Sequence, residues 1–285
     1  MFEAPLLAPP VSEDDATLRR LLAAAGALLR GHEGAVAAER KADDTDVTVA
    51  DRAAEALLVD GLRRAFPTDA ITAEEGTALP GGPASWWVDP LDGTSAFVEG
   101  LGTWGSTLAR HADGRVLLGA IALHRVGVYA FTDATGQAWV NGHVLPPLAG
   151  SRSRRDTPIF LPSRLHLAVR LRWPGKARAV GSTAAHLLHV ARGAGLALVG
   201  PGWAPWDTAA GLALVSAVGG EARLLDGTPL GATDTSGAPF VAGPPRLVAR
   251  FLDAGTLDAW PDGPSPSDSP PRPGPPDGHV PHPRR

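Results

Sequence analysis

One run of residues, Trp86-Trp87-Val88-Asp89-Pro90-Leu91-Asp92-Gly93-Thr94-Ser95, constrains the fold more than any other part of the chain. A short apolar strand runs straight into an acid, and the proline behind it lacks the N–H that further ladder pairing requires. A second acid follows, and Gly-Thr then marks a helix start. This order places two carboxylates side by side at a strand end. It turns the Leu91 carbonyl the same way and faces the amides of Gly93, Thr94 and Ser95 toward a common centre. Carboxylates with a backbone carbonyl are the hard oxygen donors that Mg²⁺ prefers, and amides at a helix start suit a phosphate. Taken alone, the same residues also describe an Asp-Gly turn with two capping acids.

Three other segments put acids at comparable places. Ile71-Thr72-Ala73-Glu74-Glu75-Gly76 carries paired glutamates directly after a predicted strand, where a solvated surface is the ordinary outcome. Trp206-Asp207-Thr208-Ala209-Ala210-Gly211 opens an apolar helix with an aspartate that by itself is a good N-cap, Trp206 serving as hydrophobic staple. The stretch from Lys41 to Asp51 is a polar loop entering a helix, with Asp51 in the first turn, where the helix dipole already favours an acid. Four such sites carry more weight together than apart.

The rest of the chain sets the frame. Apolar spacing predicts helices over Ser12–Leu29, with Ser12 as N-cap, over Thr48–Phe66, over Thr183–Arg192 and over Asp207–Val218. Strands are predicted at Ala70–Thr72, Trp86–Val88, Ser106–Arg110, Val116–Leu123, Val126–Thr132, Ile159–Leu161, Ala177–Val180 and Leu196–Val199. The expected organisation is an α+β lobe over 1–150, an α/β lobe over 151–260, and a disordered Pro-rich tail over 261–285 with almost nothing apolar to bury. The chain has no cysteine, which excludes disulfide scaffolds, thiolate zinc sites and cysteine nucleophiles. Its 26 basic and 30 acidic residues lack the basic excess of a nucleic-acid-binding domain. No apolar run reaches membrane-spanning length, and the N-terminus shows no basic signal region, so a cytoplasmic protein without nucleic-acid or membrane partners is expected.

Together the acidic sites resemble the inositol monophosphatase family of lithium-sensitive, Mg²⁺-dependent phosphatases. The resemblance rests on Lys41 with Val-Thr-x-Ala-Asp ending at Asp51, Glu74-Glu75, Asp-Pro-Leu-Asp-Gly-Thr at 89–94, and Trp-Asp-x-Ala-Ala-Gly at 206–211, and it covers about residues 15–228. It implies a layered α/β/α/β/α sandwich, commonly a homodimer. It implies about two or three Mg²⁺ ions, held by Glu74, Asp89, the Leu91 carbonyl, Asp92 and Asp207, with Asp51 serving a further, weakly held ion. Thr94, with Glu74 or Asp51, would orient the attacking water. Gly93, Thr94, Ser95 and the Gly181-Ser182 turn would face the substrate. Lys41, Arg164 and His166 are further candidates for contacting anionic groups.

The substrate stays open. Where inositol-phosphate members carry a glutamate that contacts sugar hydroxyls, this chain has Gly200, followed by Pro201-Gly202-Trp203. A generic phosphate-monoester hydrolase acting on a small phosphorylated molecule stands first. A 3′(2′),5′-bisphosphate nucleotidase stands second and a fructose-1,6-bisphosphatase third. A non-catalytic binding or regulatory protein on the same fold is the alternative from another class.

Overall fold

The computed structural model describes residues 9–33, 39–40, 46–148, 157–165, 169–253 and 257–259; the Pro-rich tail, Lys41 and His166 lie outside them. Helix α1 (Glu13–Arg30) starts at the predicted cap, where the Ser12 hydroxyl accepts the Asp15 N–H at 3.0 Å. The short pair β1 (Glu39–Arg40) and β2 (Asp46–Val47) leads into α2 (Val49–Ala65). A reciprocal box closes the start of α2: the Thr48 hydroxyl accepts the Ala50 N–H, and Asp51 accepts the Thr48 N–H at 2.7 Å.

A run of strands follows: β3 (Ala70–Ala73), β4 (Ala78–Leu79) and β5 (Ser85–Asp92), then the short helix α3 (Thr94–Val98). After it come β6 (Gly105–Ala112), β7 (Arg115–Leu123), β8 (Val128–Thr132), β9 (Ala138–Val140) and β10 (His143–Val144). These eight strands form one sheet in the order β10-β9-β8-β7-β6-β5-β3-β4. Its neighbours are antiparallel except β3 and β5.

The second part contributes β11 (Ile159–Phe160), β12 (Val169–Leu171), β13 (Ala177–Arg178), α4 (Thr183–Ala191), β14 (Leu196–Val199) and α5 (Pro205–Ala217). It closes with β15 (Glu221–Leu224), β16 (Phe240–Gly243), α6 (Pro245–Asp253) and β17 (Leu257–Ala259). A second, five-stranded sheet runs β13-β11-β14-β16-β15, and β12 pairs with β17.

Side-chain alternation along the strands stacks these pieces into layers. In β5, Trp86 and Val88 pack with Leu18, Leu22, Leu58 and Leu62 of α1 and α2, while Trp87 faces the other way. In β14, Ala197 and Val199 face α4 and α5, while Leu196 and Leu198 pack with Leu247, Val248 and Phe251 of α6. The period of two along a strand thus buries both faces of each sheet. The result is the expected α/β/α/β/α sandwich, with α4 and α5 as its central helical layer.

Three local expectations shift. Strand β5 does not stop at Pro90 but pairs again at Asp92, because a register change between Asp89 and Asp92 lets the chain pass the missing N–H. Helix α5 begins at Pro205, so Asp207 sits at its third position rather than at the cap, and Trp206 lies within the first turn. Strand β8 starts at Val128 because residues 124–127 form the turn from β7.

Candidate active site

The acids converge where strand ends meet helix starts. Glu74 is the first residue after β3, and its N–H donates to the Val88 carbonyl at 3.0 Å, extending the parallel ladder by one rung. The rest of that turn is held from α2. The buried Glu55 carboxylate accepts the Glu75 N–H at 2.6 Å, and the N–H and hydroxyl of Thr77 at 3.2 and 2.5 Å. Glu55 supports the turn that carries Glu74, a contact the sequence reasoning missed. Its only local signal is its place one helical turn after Asp51, on the same face.

Asp89 lies at the bulge of β5 and is 1% exposed. Its Oδ1 accepts the Leu91 N–H at 2.9 Å, so the amide released by the bulge fixes the carboxylate beside it. The Leu91 side chain packs with Leu29, Ala54, Phe97 and Trp104. Its carbonyl lies 3.1 Å from the Thr94 hydroxyl. That hydroxyl also lies 3.2 Å from Asp51 Oδ1, while Asp51 Oδ2 takes the N–H and hydroxyl of Thr48. Asp207 Oδ2 accepts the Ala204 N–H at 2.8 Å, which anchors the acid at the start of α5.

Glu74, Asp89 and Asp207 each bring an oxygen to within 4.8 Å of the other two. Asp92 stands beside this group but serves another element. It accepts the Ser182 hydroxyl and the Thr183 and Ala184 N–H groups, the last at 2.9 Å, and so caps α4. Gly93 and Gly181 make that approach possible. Both adopt positive φ, and a Cβ on Gly93 would meet the Gly181 carbonyl at 2.8 Å.

Burial and repulsion from neighbouring acids raise the proton affinity of Asp89, Asp92 and Asp51. Asp89 is pushed well above the usual carboxylate range, first by burial and then by Glu74, Asp92 and Asp207. Asp92 is pushed up to about 7 by burial, with Asp207 adding to it and the Ser182 hydroxyl opposing. Asp51 is raised by burial, against the opposing bonds from Thr48. Buried carboxylates this close cannot all stay ionised without a cation between them. The donor set is all oxygen, with no nitrogen or sulfur, and so fits a hard divalent ion such as Mg²⁺.

A cavity of about 540 Å³ opens over this cluster. Its lining includes Glu74, Asp89, Asp92 and Asp207 together with Gly93, Thr94, Ser95, Gly181, Ser182 and Arg164. All the candidate site residues within the described chain therefore gather at one place, with Asp51 behind Thr94. Pro201 lines the cavity, whereas Trp203 and Trp206 are core residues. The Trp203 indole donates to the Ala238 carbonyl at 2.7 Å and packs edge-on against Phe240.

A layered α/β/α/β/α sandwich with acids at the meeting of strand ends and helix starts is the architecture of the inositol monophosphatase and fructose-1,6-bisphosphatase type. The chain belongs to the inositol monophosphatase family, whose model matches residues 11–251. It is 33% identical to a histidinol-phosphatase of Chlorobaculum parvum over 63% of this chain and 73% of that protein. It is 34% identical to a fructose-1,6-bisphosphatase/inositol-1-monophosphatase of Thermotoga maritima, over 70% of this chain and 80% of that one. The Thermotoga maritima IMPase structure superposes with a TM-score of 0.72 at 26% identity, covering 84% of this chain and 94% of the other. The family is one of metal-dependent phosphatases.

Proposed function

We propose that this protein is a Mg²⁺-dependent phosphate-monoester hydrolase that cleaves a small phosphorylated substrate with water. The convergence of half-buried Glu74 with the buried Asp89 and Asp207 carries this reading. Those three residues, with Asp92 and the Leu91 carbonyl beside them, would hold the ions. Bound Mg²⁺ supplies charge neutralisation for the phosphoryl oxygens and an acidified water.

The protein's own groups do the positioning that phosphoryl transfer chiefly requires. The Thr94 hydroxyl donates to Asp51 or to the Leu91 carbonyl, which leaves its oxygen turned to accept a hydrogen from a water in the cavity. Asp51 is anchored by Thr48 and holds Thr94 in that orientation. The backbone of Gly93 to Ser95 and the Gly181-Ser182 turn would receive the phosphate. The cavity extends past Leu101, Pro162 and Pro201, room for the body of a leaving group larger than phosphate alone.

The test is a phosphate-release screen over myo-inositol 1-phosphate, histidinol phosphate, fructose 1,6-bisphosphate and 3′-phosphoadenosine 5′-phosphate. Release that requires Mg²⁺, stops with a chelator and falls with Li⁺ supports the hydrolase. Mg²⁺ binding without turnover of any of these substrates favours the non-catalytic alternative.

A further inference from the structure

The bulge in β5 carries three of the proposed ion ligands, and its outer side is held by two residues with no role in the hydrolysis described above. Pairing of β5 with β6 joins Asp89 to Thr107 and resumes at Asp92 with Gly105. Pro90 and Leu91 therefore stand opposite Ser106 alone, and the Pro90 carbonyl falls out of the ladder. The Ser106 side chain takes it instead: its hydroxyl, in a residue 0% exposed, donates to the Pro90 oxygen at 2.6 Å.

The same Ser106 oxygen lies 2.8 Å from Nε2 of His124, in the turn after β7. A hydroxyl has one hydrogen, and the Pro90 carbonyl can only accept, so Ser106 must accept from His124. The histidine thereby carries a hydrogen on Nε2. Burial keeps the ring neutral, since it pushes the His124 imidazole down to about 3. The ring is locked in place by its surroundings. It tilts against Trp104 at 5.5 Å and rests on α1 at Gly26, where a Cβ would fall 2.3 Å from Nδ1. The His124 carbonyl in turn accepts from Arg30 at the end of α1.

We propose that Ser106 and His124 are positioning residues that hold the Asp89–Asp92 bulge in the shape that receives the divalent ion. The relay runs from His124 Nε2–H to Ser106 Oγ–H to the Pro90 carbonyl. On the other side of the same bulge, the Leu91 amide binds Asp89. With both sides fixed, the Asp89 carboxylate and the Leu91 carbonyl keep their directions. Without the hydroxyl, the Pro90 carbonyl is a buried acceptor with its side-chain donor gone, and the bulge relaxes to find another. The inference rests on the metal-site reading above.

Mg²⁺ titration calorimetry on the metal-free full chain tests it, with circular dichroism melting alongside. Ser106→Ala and His124→Leu should remain folded at the titration temperature and bind Mg²⁺ at least about tenfold more weakly, the usual effect of losing a group that orients metal ligands. His124→Gln, whose side-chain amide presents an N–H near the Nε2 position, should recover most of that loss. A purely structural role would lower the melting temperature and leave the affinity of the folded protein unchanged. Wild-type affinity in folded Ser106→Ala, or equal affinities in His124→Gln and His124→Leu, overturns the proposal. Should Ser106→Ala not fold, the two His124 variants decide alone. A wild-type chain that binds no Mg²⁺ brings down the metal site itself and this inference with it, a result unlike either of the others.

Discussion

The Thr94 hydroxyl lies 3.2 Å from Asp51 Oδ1, joining the first residue of α3 to the first turn of α2 across 43 residues of sequence. Asp51 is committed on its other oxygen to Thr48, so the carboxylate has little freedom to turn and the hydroxyl is aimed by it. This pair connects the helix that caps its own start with the helix that opens onto the cavity.

Thr94→Ala should therefore lower kcat by roughly 100-fold or more, the range seen when a proton-handling group is removed, with little change in melting temperature. Thr94→Ser keeps the hydroxyl and should retain most of the rate. Steady-state kinetics on the best substrate from the screen checks this. Equal rates for the Ala and Ser variants would show that the hydroxyl plays no part in the reaction.

Asp89→Asn should abolish Mg²⁺-dependent phosphate release and yet leave the metal-free protein at least as stable as wild type at pH 8. Folding raises the Asp89 pKa above its ordinary value, because of burial and its acidic neighbours. The folded wild type therefore binds a proton that the unfolded chain has already released. Its stability from this group is present below about pH 4 and declines as pH rises through the folded pKa. Asparagine has no such dependence. Metal-free melts across this range should show the variant's advantage largest at pH 8 and vanishing toward pH 4. Added Mg²⁺ should stabilise wild type and not Asp89→Asn.

Glu55→Gln places an amide N–H against donors from Glu75 or Thr77 and loosens the turn that carries Glu74. The expected cost is about 1–3 kcal/mol of stability, as for a buried hydrogen-bonding group left without its partner. Mg²⁺ affinity should fall as well. Chemical denaturation and calorimetry on one preparation measure both. A variant that loses stability but binds Mg²⁺ normally would limit Glu55 to a structural role.

Gly93→Ala forces a side chain onto a residue at φ 87° and drives its Cβ against the Gly181 carbonyl. Backbone strain alone costs about 1–3 kcal/mol. The contact also displaces Ser182 from Asp92, so activity should fall further than the melting temperature implies. A fully active variant would mean that α3 and α4 can move apart without disturbing the site.

Much of this was legible in the chain. The cap at Ser12, the helical faces of α1 and α2, and the apolar strand at Trp86-Trp87-Val88 depend on neighbours within a few residues. So does the resemblance carried by Asp-Pro-Leu-Asp-Gly-Thr and Trp-Asp. The short strands β15 and β16 and helix α6 were not anticipated. Only in the second sheet, where Val241 packs against Leu196 and Phe251, does their apolar pattern find the partner that makes it a core.

Sequence by itself thus singled out the residues proposed to carry the chemistry, because motif spacing and capping are local interactions. Tertiary structure decided how those residues are held. The continuation of β5 beyond Pro90, the commitment of Asp92 to α4, the Glu55 clamp and the His124–Ser106 relay all join residues from separate elements. Each depends on strand register and on packing between layers. A hydrogen bond between residues 90 positions apart, such as that of Ser182 to Asp92, leaves no periodic trace in the chain. It exists only because two glycine backbones at Gly93 and Gly181 can come within reach of each other.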